Sequence, residues 1–427
     1  MIRSDHHTSP RRKPWGDDVD TDGHGSRRGL VLRRSSVACL AAFVVFAFCT
    51  PVGASDGGEW DAAVDEALDE TGFDVAGSAL VVGLLTPDGG RFVTGRGEVA
   101  PGGPLPDGRT LFEIGSITKT FTTLLLAGEV VAGRIALDDP LGPSLPDGWA
   151  LPDRAGRPVT FEEVATHTSG LPPLPPNFHG ALMLEALVGL DPLTNPYAKI
   201  TPERIAAGLP MIVMPEVEEP AFLYSNLAVG LLGDALAERE KTDYGTLVRG
   251  RVTGPLGMDE TFIDVPASHA NRRVGGTRGG QPVEAWDFAG LAAAGALRST
   301  AADMLTYLEA QLGRTETPLA DAIALTQTPR RELGRRSGIG LGWMYYDAPA
   351  DRGGSRVWTH NGGTGGFTSF AAFEPRADVA VIVLSNRGPD LANLGGGIPT
   401  DKLGAALMKR LRGDVGLSAE PEAEPPE

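Results

Sequence analysis

Ser116 and Lys119 stand three residues apart in Ser116-Ile117-Thr118-Lys119, at the head of a segment that stays largely apolar to Val131. On an α-helix that spacing is about 60° of azimuth, so the hydroxyl and the amine share a face. Lysine is scarce in this chain, occurring otherwise only at 13, 199, 241, 402 and 409, and this one falls where burial is expected. Desolvation and the positive end of the helix dipole both push an amine toward its neutral form. A neutral amine can take a hydroxyl proton, which makes a weak serine nucleophile reactive. The bland alternative is Ser116 capping the helix while the Lys119 stem snorkels to solvent.

Two further stretches carry groups of the same chemistry. Tyr224-Ser225-Asn226 precedes a helical segment running to Glu240. There Tyr224 can shuttle a proton and Asn226 can offer an amide donor and acceptor to a substrate amide. The alternative is an Asn226 N-cap beside a packed tyrosine. Trp358-Thr359-His360-Asn361-Gly362-Gly363 closes a predicted strand. Glycines at a strand edge let a substrate backbone approach and leave N–H groups as oxyanion donors. A plain glycine-rich hairpin turn is the competing reading.

The elements that must position these groups alternate in character along the chain. Trp60–Leu68 has helical periodicity, and Ala76–Thr86 with Arg91–Gly97 reads as a hairpin around Pro87-Asp88-Gly89-Gly90. Helices are predicted over Ser116–Val131, from the capping box Thr160-Phe161-Glu162-Glu163, from Thr201-Pro202-Glu203, and over Asn226–Glu240 and Thr300–Leu312. A long irregular stretch lies between Gly254 and Leu297. Strands follow at Gly340–Tyr346, Arg356–His360, Phe367–Phe373 and Val379–Leu384, then a closing helix at Asp401–Leu411. Strands at both ends and helices between them predict an α+β fold, with one sheet built from both termini and a helical insertion. Its cleft is expected where sheet meets insertion.

Taken jointly, Ser116–Lys119, Tyr224–Asn226 and His360–Gly362 resemble the serine β-lactamase and penicillin-binding-protein superfamily, in its class C β-lactamase-like branch. That family carries S-x-x-K, Y-x-N, then K-T-G or H-x-G, in this order. Phe112–Ser116, Thr166–Pro172, Pro255–Met258, Leu297–Met304, Gly340–Trp343 and Val383–Asn386 also look like family segments, and the likeness runs from Ala76 to Leu411. The resemblance implies a β-lactamase/transpeptidase-like fold whose antiparallel sheet is flanked by helices. It also implies acyl-enzyme catalysis, with Ser116 as nucleophile, Lys119 as base and Tyr224 as proton shuttle. Asn226 would hold the acyl-side amide, and the N–H groups of Ser116 and Gly363 would form the oxyanion hole beside His360 and Gly362. His360 stands in place of a lysine and lacks its fixed charge at neutral pH, which fits D,D-peptidases, D-amino-acid peptidases and esterases better than a dedicated β-lactamase. Pro215-Glu216-Val217-Glu218-Glu219-Pro220 departs from the usual Pro-Gly upstream of the tyrosine and would give an acidic cleft rim. The function implied is a D-alanyl-D-alanine carboxypeptidase-like peptidase. The alternatives are a class C-type β-lactamase, an esterase, or a non-catalytic penicillin- or peptidoglycan-binding protein.

Composition narrows the field further. With 41% hydrophobic and 22% charged residues the chain is globular, and a net charge of −17 offers no basic footprint for nucleic acid. Cys39 and Cys49 both lie in the apolar run Val37–Cys49, so the body has no disulfide scaffold and no cysteine nucleophile. His167, His179 and His269 lack metal-ligand spacing, and neither a metal nor a cofactor is expected. Gly53-Ala54-Ser55-Asp56-Gly57 matches G-x-S-x-G but has no strand before it or helix after it. Arg27, Arg28, Arg33 and Arg34 before the apolar run, and Val52-Gly53-Ala54 after it, mark residues 1–54 as a secretory signal; an uncleaved anchor is the alternative. The run falls short of the ~20 residues of a membrane helix. The expected organisation is a leader over 1–54 and a catalytic domain over 55–415, with sheet about 58–110 and 335–412 and helical insertion about 111–334. A disordered acidic tail over 416–427 completes it. The expected partner outside the cytoplasm is a small-molecule or peptidoglycan-type acyl donor, with no stable membrane association after the leader is removed.

Overall fold

Ala79–Leu85 contains no polar side chain and forms strand β1, every residue of it buried. It turns back into β2 (Arg91–Gly97) through a tight loop in which the Thr86 N–H donates to Gly90 O at 3.0 Å and Gly89 takes φ +83°. The computed structural model describes residues 57–178, 195–217, 219–348, 355–389 and 398–413. The expected leader over 1–54, both cysteines, the expected tail over 416–427, His179 and Glu218 lie outside these residues.

The C-terminal part supplies the rest of the sheet. Its strands are β7 (Arg331–Gly334), β8 (Ser337–Ile339), β9 (Met344–Asp347), β10 (Arg356–Gly363), β11 (Thr368–Glu374) and β12 (Val379–Ser385). The order is β2-β1-β12-β11-β10-β9-β8-β7, antiparallel throughout, with Leu80 opposite Ser385 and Leu85 opposite Ala380 where the two chain ends meet. Strands β1 and β12 are apolar on both faces because both faces are covered. Leu80, Val82, Leu84, Val381 and Val383 pack on helices α1 (Gly57–Thr71) and α7 (Pro399–Leu411). Val81, Leu85, Ile382 and Leu384 join the larger core with Met304 and Leu305 of α6 (Ala301–Leu312). The same alternation turns His360 and Gly362 of β10 to the inner face with Trp358, and Asn361 outward to α7, where its Nδ2 donates to Asp401 at 2.7 Å.

The helical part lies between β2 and β7. It includes α2 (Thr118–Val131), α3 (Phe161–Ala165), α4 (Pro202–Gly208) and α5 (Asn226–Arg239). The predicted capping box is complete, with Thr160 accepting from the Glu163 N–H and Glu163 accepting from the Thr160 N–H. Three expectations need correction. Ser116 lies in a 3₁₀ turn, Gly115–Ile117, so that α2 proper begins at Thr118. The N-cap of α5 is Ser225, whose hydroxyl accepts from the Ala228 N–H, so Asn226 is not the cap. The strand predicted from Gly340 begins only at Met344, because Gly340 N–H bonds Trp343 O and Gly342 takes φ +75° in a tight turn. The stretch 254–297 is irregular as expected, apart from one α-helical turn at Gly254–Leu256, short 3₁₀ turns and a small hairpin, β4 (Gly276–Arg278) with β5 (Gln281–Val283). Two-residue strands β3 (Phe112–Glu113) and β6 (Arg298–Ser299) pair just ahead of the Ser116 turn.

Candidate active site

The 3₁₀ turn followed by an α-helix retains the juxtaposition expected of Ser-x-x-Lys. Lys119 Nζ lies 2.9 Å from Ser116 Oγ and donates to the Ala294 carbonyl at 2.6 Å. Its side chain is fully buried in the apolar bundle, and that burial drives the amine well below its ordinary pKa. The neutral form has a lone pair, so the hydrogen bond to Ser116 can run from hydroxyl to amine.

Tyr224 stands on the extended segment entering α5, with its phenol beside Ser116. Burial raises its pKa, with the nearby Ser116 hydroxyl acting in the opposite direction, so the phenol keeps its proton at neutral pH. The ring faces Lys119, with Nζ 4.9 Å from the ring centroid. Asn226, in the first turn of α5, donates from Nδ2 to the Tyr197 hydroxyl at 2.7 Å. Its Oδ1 is buried and has no hydrogen-bond partner among the described residues.

His360 is 4% exposed, with its ring 6.4 Å from that of Tyr224. Burial first, then the nearby Lys119, pushes its pKa down to about 4. The glycines beside it serve close approach. A Cβ on Gly362 would lie 2.1 Å from Ile114 O, and one on Gly115, at φ +49°, would lie 2.7 Å from Gly363 N. Strand β10 and the Ser116 turn therefore meet backbone to backbone, with Gly115 against Gly363 and Gly362 against Ile114.

All the predicted site residues, Ser116, Lys119, Tyr224, Asn226, His360, Gly362 and Gly363, thus meet at one junction of sheet and helices. Sequence reasoning did not find three contributors. The Ala294 carbonyl is a backbone group and has no sequence signature. Tyr197 orients Asn226 from 29 positions away. His167, given no part in the site from sequence, packs its ring 4.4 Å from that of Tyr224.

The chain belongs to the beta-lactamase family, whose sequence model matches residues 64–397. It is a serine hydrolase of the β-lactamase and D,D-carboxypeptidase type. It is 29% identical over 338 residues to the D-alanyl-D-alanine-carboxypeptidase/endopeptidase AmpH of Escherichia coli K12, covering 74% of this chain and 81% of that one. A beta-lactamase of the same strain is 26% identical over 332 residues, covering 69% and 80%. Among solved structures, the class C beta-lactamase from Rhodobacter sphaeroides shares the fold with a TM-score of 0.66 at 24% identity, over 84% of this chain and 99% of that one.

Proposed function

We propose that this chain is an exported acyl-enzyme hydrolase of amide or ester bonds, acting as a D-alanyl-D-alanine carboxypeptidase-like peptidase. One observation carries the chemistry: a fully buried amine, held toward neutrality, 2.9 Å from a serine hydroxyl. Ser116 Oγ attacks the substrate carbonyl as its proton passes to Lys119. The N–H groups of Ser116 and Gly363 hold the resulting oxyanion; one such donor is worth about 3 kcal/mol of barrier in measured cases. As the tetrahedral intermediate collapses, the Tyr224 phenol gives its proton to the leaving nitrogen or oxygen and recovers one from Lys119. Water then attacks the Ser116 ester, giving a proton to the Lys119–Tyr224 pair, which passes it to Ser116 Oγ as the ester bond breaks and the free acid leaves. Asn226 Oδ1, buried and without a partner among the described residues, is the acceptor for a substrate N–H on the acyl side.

Two features bear on the substrate. His360, with a pKa of about 4, is uncharged at neutral pH and gives a carboxylate no fixed cation. The Pro215–Pro220 loop packs on Gly170, with Pro215 Cγ 2.8 Å and Pro220 Cγ 3.3 Å from a Cβ built there, so exposed Glu216 and Glu219 stand near the Tyr224 segment. Both features disfavour anionic donors and support an esterase as the second reading, while the AmpH likeness supports the peptidase. Residues 1–54 support export, and N-terminal sequencing of extracytoplasmic protein is expected to start at about residue 55.

The deciding experiment compares parent and Ser116→Ala on diacetyl-Lys-D-Ala-D-Ala, p-nitrophenyl acetate and nitrocefin, with fluorophosphonate labelling alongside. Turnover of the peptide and the ester should exceed that of nitrocefin, and labelling should vanish in the variant. Turnover of the ester alone would select the esterase, faster nitrocefin hydrolysis a β-lactamase, and surviving label would remove Ser116 as nucleophile.

A further inference from the structure

His167 touches each residue of the segment that presents Tyr224, although 58 positions separate it from Ser225. Its carbonyl accepts from the Leu223 N–H at 2.8 Å, and its Nδ1 accepts from the Ser225 N–H at 3.1 Å. The two bonds therefore bracket Tyr224 in the chain. Between them the imidazole lies against the Tyr224 ring at 4.4 Å, tilted 34°, and meets the Phe222 ring edge-on at 5.7 Å.

His167 is in turn held from behind. The neighbouring amides of Thr166 and Thr168 donate to Glu162 O and Glu163 O at 2.9 Å, tying the turn to the end of α3. Glu163 is itself paired with the buried Arg154, whose guanidinium also donates to Ser169 O. Ser225 Oγ donates to Pro172 O at 2.7 Å, which joins the two segments a second time. His167 takes φ +57°, a left-handed conformation that a side-chain-bearing residue adopts at a cost and keeps only where the surroundings impose it. A purely apolar ring would fill this space without that backbone geometry. The imidazole adds an acceptor pointed at the amide next to Tyr224. It can fill that role only with its proton on Nε2, and burial, ahead of the neighbouring Lys119 and His360, keeps the ring neutral.

We propose that His167 is a positioning residue for the reaction: its carbonyl and Nδ1 fix the Phe222–Ser225 backbone so that the Tyr224 phenol stays on Ser116 while a leaving group is protonated. The inference rests on the proposed role of Tyr224 as proton carrier and deepens it. Protonation of the leaving group matters most for an amide, whose nitrogen departs poorly, and least for p-nitrophenolate, which departs unaided. A loss of Tyr224 alignment therefore separates the two substrates, whereas a general weakening of the fold does not.

The test uses the full chain with His167→Phe, which keeps a ring and removes the acceptor, and His167→Asn, whose Oδ1 replaces Nδ1 and whose backbone tolerates φ near +57°. H167F should lower kcat on the D-Ala-D-Ala peptide by about 10- to 100-fold with KM within about twofold, and lower p-nitrophenyl acetate turnover much less. H167N should recover most of the loss. In a Tyr224→Phe background H167F should cost nothing further in kcat, because the group it positions is gone. If H167F does not melt as a folded chain, His167→Gln, whose acceptor reaches the Nε2 place instead, is used with the same expected losses. An unchanged kcat, equal losses on peptide and ester, or a loss that persists in full over Y224F would overturn the proposal. The Ser116→Ala protein run in parallel reports separately on the nucleophile, so failure of the underlying mechanism is told apart from failure of this assignment.

Discussion

At the scale of single residues, the site trades stability for reactivity. The unfolded chain carries Lys119 protonated up to pH 10.5, whereas burial lowers its pKa well below that in the fold. Between the two values the unfolded state binds the extra proton, so stability rises with pH across that window. Lys119→Met should therefore abolish acylation while raising Tm at pH 7 and flattening this rise; calorimetry against pH checks it. Acylation by the parent should fall as pH drops through the folded pKa, since only the neutral amine accepts the Ser116 proton. His360 works on the acid side. With a folded pKa of about 4 against an ordinary 6.5, it makes the fold lose up to roughly 3 kcal/mol as pH falls across that interval. His360→Gln should remove that share of acid sensitivity, and the NMR signal of the His360 imidazole should stay that of the neutral form down to pH 5. The Ser116–Lys119 contact was legible in the sequence because both ends lie within one helical turn. The contacts of His167 with Ser225, of Tyr197 with Asn226 and of Lys119 with Ala294 were not, because each joins segments that only the tertiary fold brings together.

Among the secondary elements, those with local causes were the readable ones. The capping box at Thr160, the Thr201 and Thr300 caps and the β1–β2 turn are written in neighbouring side chains. The β7–β8 hairpin was not read, because Arg331–Gly334 is largely exposed and carries no apolar alternation. The start of α5 at Asn226 was legible, while the choice of Ser225 over Asn226 as its cap was not, because both are good caps and Ser225 also reaches Pro172 O. Strand β10 and the Ser116 turn are the elements whose meeting makes the cleft, and glycine permits that meeting. Gly362→Ala places a methyl against Ile114 O and Ser369 Oγ, so it should push β10 from the turn and cut kcat/KM by at least about tenfold, more than its effect on Tm would suggest. Thr160→Ala is the matching control. It should cost about 1 kcal/mol by denaturant titration and leave kcat unchanged, because the cap stabilises α3 without touching the cleft.

For the molecule as a whole, charge and connectivity matter more than any one contact. Glu216→Lys with Glu219→Lys should raise kcat/KM for a carboxylate-bearing acyl donor at low salt, with the gain shrinking as salt is added, while a neutral ester shows little change. The α+β class and the sheet drawn from both chain ends were legible because buried strands read as short apolar runs and the helices between them carry their own caps. The exact register was not, since pairing partners lie far apart. That distance has a cost during synthesis. Strand β1 waits for β12, so about 300 residues must leave the ribosome before the apolar run 79–85 finds its neighbour. Until then the N-terminal hairpin presents a bare, hydrophobic edge, and a nascent chain stopped before Val379 should be protease-sensitive and captured by chaperones. Late closure also keeps the polypeptide threadable, which is the state that the proposed export would use if it passes through a narrow pore.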